Sequence, residues 1–322
     1  MKVLITGSAG FIGGHLYEKL KKEGNEVMGF DNWSHPSKNP INAEMHTYDI
    51  RDNRPVYQMR ADGMLVKLES PLNIAIEWSD IVYHLAAQIH VDKSIKNPKE
   101  TIDINVNGTL NILEACRKYS RKLVFASSSE VYGTSQKEYM DETHPLDAQS
   151  PYAASKVAGD RLCKAYIDTY GCDICILRNF NTFGPYQNDG GEGTSYGAVI
   201  GIFTRAALRG EPLQIFGDGN QERDYIYITD ALKGYELASV YNGVLNIGSG
   251  RTISINDLAR NVKDLTGSKS EIVHIGARPG EVSRLCADIT RAKKLGFSPT
   301  TDFRKHLKEY IDWYAGTLQS GK

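Results

Sequence analysis

The sequence lacks the features that mark a membrane-spanning or secreted protein. Among its 322 residues, no apolar run approaches the roughly 20 residues that a membrane-spanning helix needs. No signal-peptide pattern precedes the first strand-like run, residues 2–6. The formal net charge of −1 at pH 7 gives no reason to expect a nucleic acid or an anionic membrane as a partner. We therefore expect a cytoplasmic protein.

Cysteine is scarce and scattered. The five cysteines are odd in number and widely spaced, which favours reduced thiols over a disulfide framework. Cys172 and Cys175 form a C-x-x-C pair, but the segment has a strand pattern, in which side chains three apart point to opposite faces. The eight histidines form no cluster with acids or cysteines. The sequence therefore predicts no metal site.

Strand and helix patterns alternate through the first half of the chain, which is typical of βαβ units around a parallel sheet. The strand patterns are residues 3–5, 26–30, 46–50, 80–85, 123–126 and 174–178. Helix patterns include 105–119, with Val106, Leu110, Leu113 and Cys116 on one stripe, and 152–170. Residues 53–71 give no clear pattern. We predict an α/β fold with a Rossmann-type doubly wound parallel sheet in residues 1–179. Residues 180–322 would form a smaller substrate-binding α/β region, with some segments returning to the sheet.

A glycine motif connects the first strand to the first helix. Gly7, Gly10 and Gly13 are spaced G-x-x-G-x-x-G, which allows a tight turn and lets a pyrophosphate rest on the helix N-terminus. The second strand ends in Asp31, about twenty residues past the glycines, where a carboxylate accepts hydrogen bonds from adenosine ribose hydroxyls. Because a carboxylate would repel a 2′-phosphate and no arginine stands beside it, we expect NAD rather than NADP.

A tyrosine and a lysine form the predicted catalytic pair. Tyr152 and Lys156 are four residues apart and lie on the same face of helix 152–170. The ammonium favours the phenolate, so a phenol with an ordinary pKa of about 10 becomes a base closer to neutrality. The serine run 127–129 follows a strand, and a hydroxyl there can bind the oxygen that Tyr152 deprotonates. The alternative, an incidental pair on a surface helix, loses weight beside the cofactor motif.

These residues together resemble the extended short-chain dehydrogenase/reductases, specifically the nucleotide-sugar epimerase and dehydratase family. The resemblance covers nearly the whole chain, and its motifs include the His84–Ala87 strand end, the 217–225 segment and Arg278-Pro-Gly. The candidate NAD-binding residues are Gly7, Gly10, Phe11, Ile12, Gly13, Asp31, Asn32, Asp49, Ile50, Leu85, Ala86, Ala87, Asn105, Tyr152 and Lys156. The candidate substrate-binding residues are Gln88, Ser128, Asn181, Arg223, Arg278 and Glu281.

The resemblance also implies a reaction. Tyr152 as phenolate would take the proton of the sugar 4-hydroxyl while C4 gives a hydride to the nicotinamide. Lys156 would hold the nicotinamide ribose and lower the pKa of Tyr152, and Ser128 would bind the 4-oxygen. Arg223 and Arg278 would pair with the diphosphate, a role that suits the guanidinium fork. We expect a nucleotide-diphosphate sugar as substrate and a homodimer formed through helices 105–119 and 152–170.

Glu130 is the residue that separates the reactions of this family. Members that eliminate water resemble this chain in placing a carboxylate between the active serine and Val-Tyr-Gly. Once C4 is a ketone, the C5 proton is acidified and a carboxylate can remove it as general base. We therefore predict an NDP-hexose 4,6-dehydratase. The alternative is a 4-epimerase of the UDP-glucose or UDP-N-acetylglucosamine type, in which Glu130 only stabilises its loop.

Ser129 departs from one branch of the family. Dehydratases of the dTDP-glucose type have an aspartic acid at this position, as the acid for the departing hydroxyl, whereas some other dehydratases and nucleotide-glucuronate decarboxylases have serine. Ser129 is therefore kept as a catalytic candidate. The decarboxylase reading is weaker because segment 150–156 does not resemble theirs. A non-catalytic NAD-binding sensor is a further alternative, although a sensor has no need of a hydride-transfer base.

Overall fold

The computed structural model describes residues 1–37, 45–60, 62, 64–189, 198–277, 282–300 and 302–319. Two predicted substrate-binding residues, Arg278 and Glu281, lie outside the described residues. The chain forms two compact units: the first unit comprises residues 1–127, 150–177 and 238–244, and the second unit comprises 128–149, 178–237 and 245–322. A single boundary after residue 179 does not describe this division, because the chain passes between the units several times. Within the described ranges, no helix is long and apolar enough to cross a membrane.

The elements up to residue 179 follow the predicted alternation of strands and helices in part, because among the described residues four strands follow one another between residues 26 and 68. The strands are β1 Lys2–Thr6, β2 Glu26–Asp31, β3 Met45–Thr47, β4 Val56–Met59, β5 Leu65–Leu68, β6 Ile81–His84, β7 Lys122–Ser128 and β8 Ile174–Asn179. The helices are α1 Phe11–Lys22, α2 Pro71–Trp78, α3 Val91–Lys96, α4 Pro98–Ile102, α5 Gly108–Tyr119 and α6 Pro151–Tyr170. A π-helical turn, Asp103–Asn107, precedes α5, and a 3₁₀ turn, Ser129–Tyr132, follows β7.

The elements beyond residue 180 are shorter and less regular. The strands are β9 Asn181–Phe183, β10 Leu213–Phe216, β11 Glu222–Arg223, β12 Tyr225–Tyr227, β13 Gly243–Ile247, β14 Ile253–Ser254, β15 Ile272–Ile275 and β16 Arg284–Leu285. The helices are α7 Val199–Arg209, α8 Ile228–Val240, α9 Ile255–Thr266, α10 Thr290–Lys294 and α11 Phe303–Gln319. Apart from β13, these strands form small sheets, one in the order β14-β11-β16, one with β10 beside β15 and one with β9 beside β12.

The large sheet confirms the predicted α/β class. Its strand order is β13-β8-β7-β6-β1-β2-β3, and the pairs β1–β2, β1–β6, β2–β3 and β6–β7 are parallel. Leu4, Val82 and Leu123 from three of these strands are fully buried in the core. Parallel strands bring their carboxyl ends to one edge of a sheet, where ligands bind in such folds. The residues that follow β1, β2 and β6 therefore line one edge.

The stripe predicted on helix 105–119 is only partly correct. Leu113 and Cys116 are buried in the core, whereas Leu110 is 38% exposed. The three-residue spacing explains the difference. Leu110 lies six residues before Cys116, which places the two side chains about 120° apart around a helix of 3.6 residues per turn, so they do not share one face.

The segment without a sequence pattern, residues 53–71, contains a β-hairpin. β4 and β5 pair antiparallel, with Tyr57 opposite Lys67 and Met59 opposite Leu65. Tyr57, Met59 and Leu65 project into solvent. Because apolar side chains occur on both faces of this ribbon, the segment does not show the alternation that identifies a half-buried strand.

Candidate active site

The turn after β1 requires glycine at two positions. Gly7 has φ +77°, and a Cβ there would lie 2.5 Å from the backbone nitrogen of Ala86, which follows β6. A Cβ on Gly13 would lie 2.1 Å from the carbonyl oxygen of Gly7. The first N–H groups of α1, on Phe11 and Ile12, have no partner within the helix, and Gly10 has no side chain that could cap them. This arrangement suits an anion close to the backbone.

Asp31 ties the end of β2 to the glycine turn. One carboxylate oxygen accepts a 3.0 Å hydrogen bond from the Ala9 amide, and the other accepts a 2.8 Å bond from the Trp33 amide. Burial raises the pKa of Asp31, and these two backbone hydrogen bonds act in the opposite direction. Each oxygen keeps a second lone pair, so the carboxylate can still accept from a ribose hydroxyl.

The next predicted cofactor residues divide into a surface pair and a core residue. Asn32 donates a 3.0 Å hydrogen bond to Asp49, whose carboxylate also pairs with Arg51 at 2.7 Å. The Arg51 hydrogen bonds lower the pKa of Asp49 to about 2. The Ile50 side chain is buried in the core, close enough to Gly108 that a Cβ there would lie 2.6 Å from it. Its side chain therefore packs α5 against the sheet.

Asn105 holds the loop after β6 and the helix that carries the Tyr–Lys pair. Its side chain accepts a 2.8 Å hydrogen bond from the Gln88 amide and donates to the Gln88 carbonyl at 2.9 Å and to Ser155 Oγ at 2.8 Å. The Gln88 side chain donates to Thr101 at 2.9 Å and to the His90 carbonyl at 3.1 Å. Both N–H donors of this amide are thus used within the loop. Asn105 and Gln88 therefore form a buried, hydrogen-bonded frame after β6.

Tyr152 and Lys156 lie on one face of α6, as predicted. Both are buried, and the Tyr152 amide donates a 3.0 Å hydrogen bond to Ser94 Oγ. The Lys156 ammonium donates a hydrogen bond to the Ala126 carbonyl and lies 4.7 Å from the centroid of the Phe125 ring. Burial lowers the pKa of Lys156 to about 8, opposed by Cys163 and Asp160. The first unit thus contains a buried amine with a lowered pKa, one helical turn from a phenol.

The second unit begins with Ser128, Ser129 and Glu130. Ser128 and Ser129 are buried and Glu130 is half-buried. The Glu130 amide donates a 3.2 Å hydrogen bond to Ser128 Oγ. This bond occupies a lone pair of the hydroxyl, so its own proton can be donated to a substrate oxygen. The backbone therefore fixes a hydroxyl donor and a carboxylate two residues apart.

A buried network that the sequence reasoning missed holds this turn. Tyr132 donates a 2.6 Å hydrogen bond to Asn246 and accepts one of 3.1 Å from Arg178. Arg178 is 2% exposed and also donates to the Glu142 carbonyl at 3.0 Å. Burial raises the pKa of Tyr132 to about 12. The sequence signal that could have indicated this network is Arg178, a charged residue near the end of a strand of otherwise apolar residues.

Two of the predicted substrate residues, Asn181 and Arg223, lie next to Asp224. Asn181 lies in β9, and its amide donates a 3.1 Å hydrogen bond to the Asp224 carbonyl. Arg223, the adjacent residue, is half-buried in β11. The Asp224 carboxylate accepts from the amides of Ser249, Gly250 and Ala287 at 2.7, 2.9 and 3.1 Å. Sequence reasoning missed Asp224, although an acid inside the Arg-Asp-Tyr segment was a usable signal.

These features define a class of protein. A glycine turn with open helix N–H groups, an acid after the second strand and a buried Tyr–Lys pair are the parts of a Rossmann-type short-chain dehydrogenase/reductase.

Comparison with known proteins identifies the family within this class. Residues 4–310 match the family model described as "GDP-mannose 4,6 dehydratase". A Methanocaldococcus jannaschii protein named "Putative UDP-glucose 4-epimerase" is 39% identical over 316 residues, which cover 97% of each chain. The chain belongs to the nucleotide-sugar epimerase/dehydratase family of extended short-chain dehydrogenase/reductases.

Two solved structures show the range of reactions among the similar proteins. The UDP-N-acetylglucosamine 4-epimerase of Methanobrevibacter ruminantium, in complex with UDP-N-acetylmuramic acid, has a TM-score of 0.86, 32% identity and 98% coverage of both chains. The dTDP-glucose 4,6-dehydratase of Streptomyces venezuelae, solved with NAD bound, has a TM-score of 0.86 and 29% identity, and the match covers 99% of this chain and 98% of that one. An epimerase and a dehydratase therefore resemble this chain to a similar degree in TM-score and sequence identity.

Proposed function

We propose that this protein is an NAD-dependent NDP-hexose 4,6-dehydratase. The observation that carries the proposal is the position of Glu130, a half-buried carboxylate in the 3₁₀ turn whose amide binds Ser128 Oγ. A hydroxyl for the 4-oxygen and a base for the neighbouring carbon would thereby lie two residues apart on one turn.

The first unit fits NAD by its shape and its donors. Gly7 lets the turn after β1 pass so close to the Ala86 backbone that no side chain would fit there, and the N-terminus of α1 offers its N–H groups to a diphosphate. The carboxylate of Asp31 favours ribose hydroxyls over a 2′-phosphate. Bound NAD supplies the acceptor and donor of the hydride. The remaining proposed contacts are those predicted from the sequence.

The chain's own residues then carry the proton transfers. Tyr152 takes the proton of the sugar 4-hydroxyl, helped by the positive charge of Lys156, while Ser128 donates a hydrogen bond to the same oxygen. After C4 has become a ketone, Glu130 removes the acidified C5 proton. The C6 hydroxyl leaves as water, with Ser129 as its proton donor in this proposal. Return of the hydride to C6, with a proton to C5, then gives the 6-deoxy-4-keto sugar and restores the oxidised cofactor. Asn181, Arg223, Arg278 and Glu281 bind the nucleotide-sugar in this proposal.

A 4-epimerase is the second candidate, supported by the names of the similar proteins from two methanogens. Epimerisation needs the same oxidation at C4 and no base at C5. The two candidates therefore share Ser128, Tyr152 and Lys156 and differ in whether Glu130 takes part.

Incubation with sugar nucleotides in D2O followed by NMR separates the candidates. UDP-N-acetylglucosamine, UDP-glucose, dTDP-glucose and UDP-glucuronate are the substrates to offer. Dehydration gives a 6-deoxy-4-keto sugar with deuterium at C5, which is the expected result. A sugar inverted at C4 without deuterium would establish the epimerase, and loss of CO2 from UDP-glucuronate would establish a decarboxylase. Protein that binds NAD and converts none of them would be a sensor.

The proposed homodimer forms through helices 105–119 and 152–170. Leu110 on α5 and Tyr170 at the end of α6 are exposed large side chains, which is consistent with a covered surface in an assembly. Light scattering after size exclusion should give twice the chain mass. Leu110→Glu should shift the protein towards the monomer if this face is used, and an unchanged dimer would place the interface elsewhere.

A further inference from the structure

A third ionisable residue continues the line of the Tyr–Lys pair along α6. Asp160 follows Lys156 by four residues, as Lys156 follows Tyr152, so the three side chains lie one helical turn apart on one face. Asp160 is 0% exposed. A buried carboxylate is costly unless its charge is matched by hydrogen bonds or by a nearby cation. The proposed reaction assigns no role to this residue.

Two contacts join this face of α6 to consecutive residues of β7. The Lys156 ammonium donates a hydrogen bond to the carbonyl of Ala126, and Ser127 Oγ donates one of 3.0 Å to the Asp160 carboxylate. The next residue of the strand is Ser128, the proposed ligand of the 4-oxygen. Lys156 and Asp160 are therefore held in place by the strand that ends at the catalytic serine.

The other groups that act on Lys156 are uncharged near neutral pH. Burial lowers the pKa of His84, on β6, to about 3, so its ring is neutral. Burial raises the pKa of the Cys163 thiol, on α6, well above its ordinary value. The Phe125 ring and the Ala126 carbonyl carry no formal charge. Among the groups shown to act on Lys156, Asp160 is the anion.

We propose that Asp160 is a positioning residue whose buried carboxylate keeps Lys156 in its charged form, with Ser127 fixing the orientation of that carboxylate. Lys156 and Asp160 both belong to the first unit, and the effect of one charge on the other does not depend on the proposed function. Its consequence for catalysis rests on the proposed function, since only a charged Lys156 favours the Tyr152 phenolate.

The coupling sets the alkaline limit of activity. Burial lowers the pKa of Lys156 to about 8, and the Asp160 carboxylate raises it. When Lys156 loses its proton, Tyr152 loses the charge that makes it a base. Removing the negative charge of Asp160 therefore makes Lys156 lose its proton at a lower pH. The alkaline limb of the kcat profile moves to lower pH with it. An opposite charge one helical turn away corresponds to a shift on the order of one pH unit.

The test compares Asp160→Asn with Ser127→Ala. The asparagine can still accept the Ser127 hydrogen bond but carries no charge, whereas Ser127→Ala removes the hydrogen bond and leaves the charge. The protonation of Lys156 is followed by NMR of protein labelled with ¹³C at lysine Cε, with the signal assigned by its loss in Lys156→Met. This titration needs no substrate. The pH dependence of kcat and KM is then measured on the substrate found by the D2O experiment.

We expect Asp160→Asn to lower the apparent pKa of Lys156 and the alkaline limb of kcat by about one unit. Ser127→Ala should move both much less. Equal titration curves in the wild type and Asp160→Asn would overturn the proposal. A Lys156 midpoint below about pH 7 in the wild type would overturn it without any variant. A shifted NMR titration with an unshifted kcat profile would leave the charge coupling intact and refute the proposed role of Lys156 in catalysis.

Discussion

Arg178 donates a 3.1 Å hydrogen bond to the phenol oxygen of Tyr132, and its guanidinium lies 5.0 Å from the centre of the same ring. The Tyr132 hydroxyl in turn donates a 2.6 Å hydrogen bond to Asn246. Tyr132 is the last residue of the 3₁₀ turn that carries Ser129 and Glu130. A cation and an amide thus fix the turn on which the proposed chemistry of the second unit depends.

Tyr132→Phe should loosen this turn. The substitution leaves the Asn246 acceptor and one Arg178 donor unpaired, and a buried polar group without a partner costs about 1–3 kcal/mol. We expect that loss in the free energy of unfolding, measured with urea, together with a lower kcat. Tyr139→Phe, at an exposed position of the same loop, is the control and should change neither quantity. An unchanged kcat in Tyr132→Phe would show that Glu130 does not depend on this network.

Asn105→Ala should weaken NAD binding, although Asn105 takes no part in the proposed proton transfers. The substitution removes the bonds that join the Gln88 backbone to Ser155, so the loop after β6 loses its attachment to α6. The NAD that co-purifies with the protein and the dissociation constant from calorimetry measure the effect. Asn107→Ala is the matched control, because Asn107 lies in the same π-helical turn and is exposed. Full NAD retention in Asn105→Ala would show that NAD binding does not depend on the hydrogen bonds of Asn105.

Gly7→Ala should abolish NAD binding. The new Cβ would lie 2.5 Å from the Ala86 nitrogen in addition to its unfavourable φ of +77°. Gly24→Ala separates the two causes, since Gly24 has φ +82° and none of the described residues comes within 4 Å of its Cβ position. The control should lose about 1 kcal/mol of stability through backbone strain and keep its NAD. If both variants lose NAD equally, strain rather than space is responsible.

The sequence predicts the cofactor half of this protein well because its signals are local. Gly7 and Asp31 stand at strand ends that hydrophobic patterns locate, and the spacing of Tyr152 and Lys156 needs only helical geometry. The network of Tyr132, Arg178 and Asn246 joins residues far apart in the chain. No periodicity indicates such contacts, and the arginine in an apolar strand signals a buried cation without indicating its partners.

The partition of the chain was harder to predict for a similar reason. Residues 128–149 pack with the second unit although they lie inside the alternating βαβ pattern, and 238–244 return to the first. Long-range packing decides this, and the pattern of elements along the chain does not show it. The hairpin of β4 and β5 was missed because its apolar residues face solvent.

Asp49 should contribute to the acid dependence of stability. Its pKa is lowered from 3.8 to about 2 in the folded protein, chiefly by hydrogen bonds from Arg51. Since the folded pKa lies below the unfolded one, the contribution is complete above about pH 4 and is lost as the pH falls through about 2. The free energy of unfolding of the wild type should therefore fall by up to about 1 kcal/mol more than that of Asp49→Asn between about pH 5 and pH 3.

Urea denaturation at several pH values measures this difference. Asp62→Asn is the control, because Asp62 is an exposed carboxylate 3.6 Å from its arginine partner and should leave the slope almost unchanged. Parallel pH dependence in the wild type and Asp49→Asn would show that the Arg51 pair contributes nothing to acid stability.

Glu130→Gln tests whether Glu130 acts on the proposed 4-keto intermediate. The amide keeps the size of the side chain and the backbone bond to Ser128, but it cannot remove a proton from C5. We expect dehydration to fall at least about 100-fold, because general bases contribute factors of this order. Oxidation at C4, followed by the absorbance of the reduced cofactor, should persist since Ser128, Tyr152 and Lys156 remain. Glu138→Gln, an exposed position in the same loop, should leave both steps unchanged. Undiminished turnover with a C4-inverted product would assign the site to an epimerase, and Glu130 would then act only in supporting its turn.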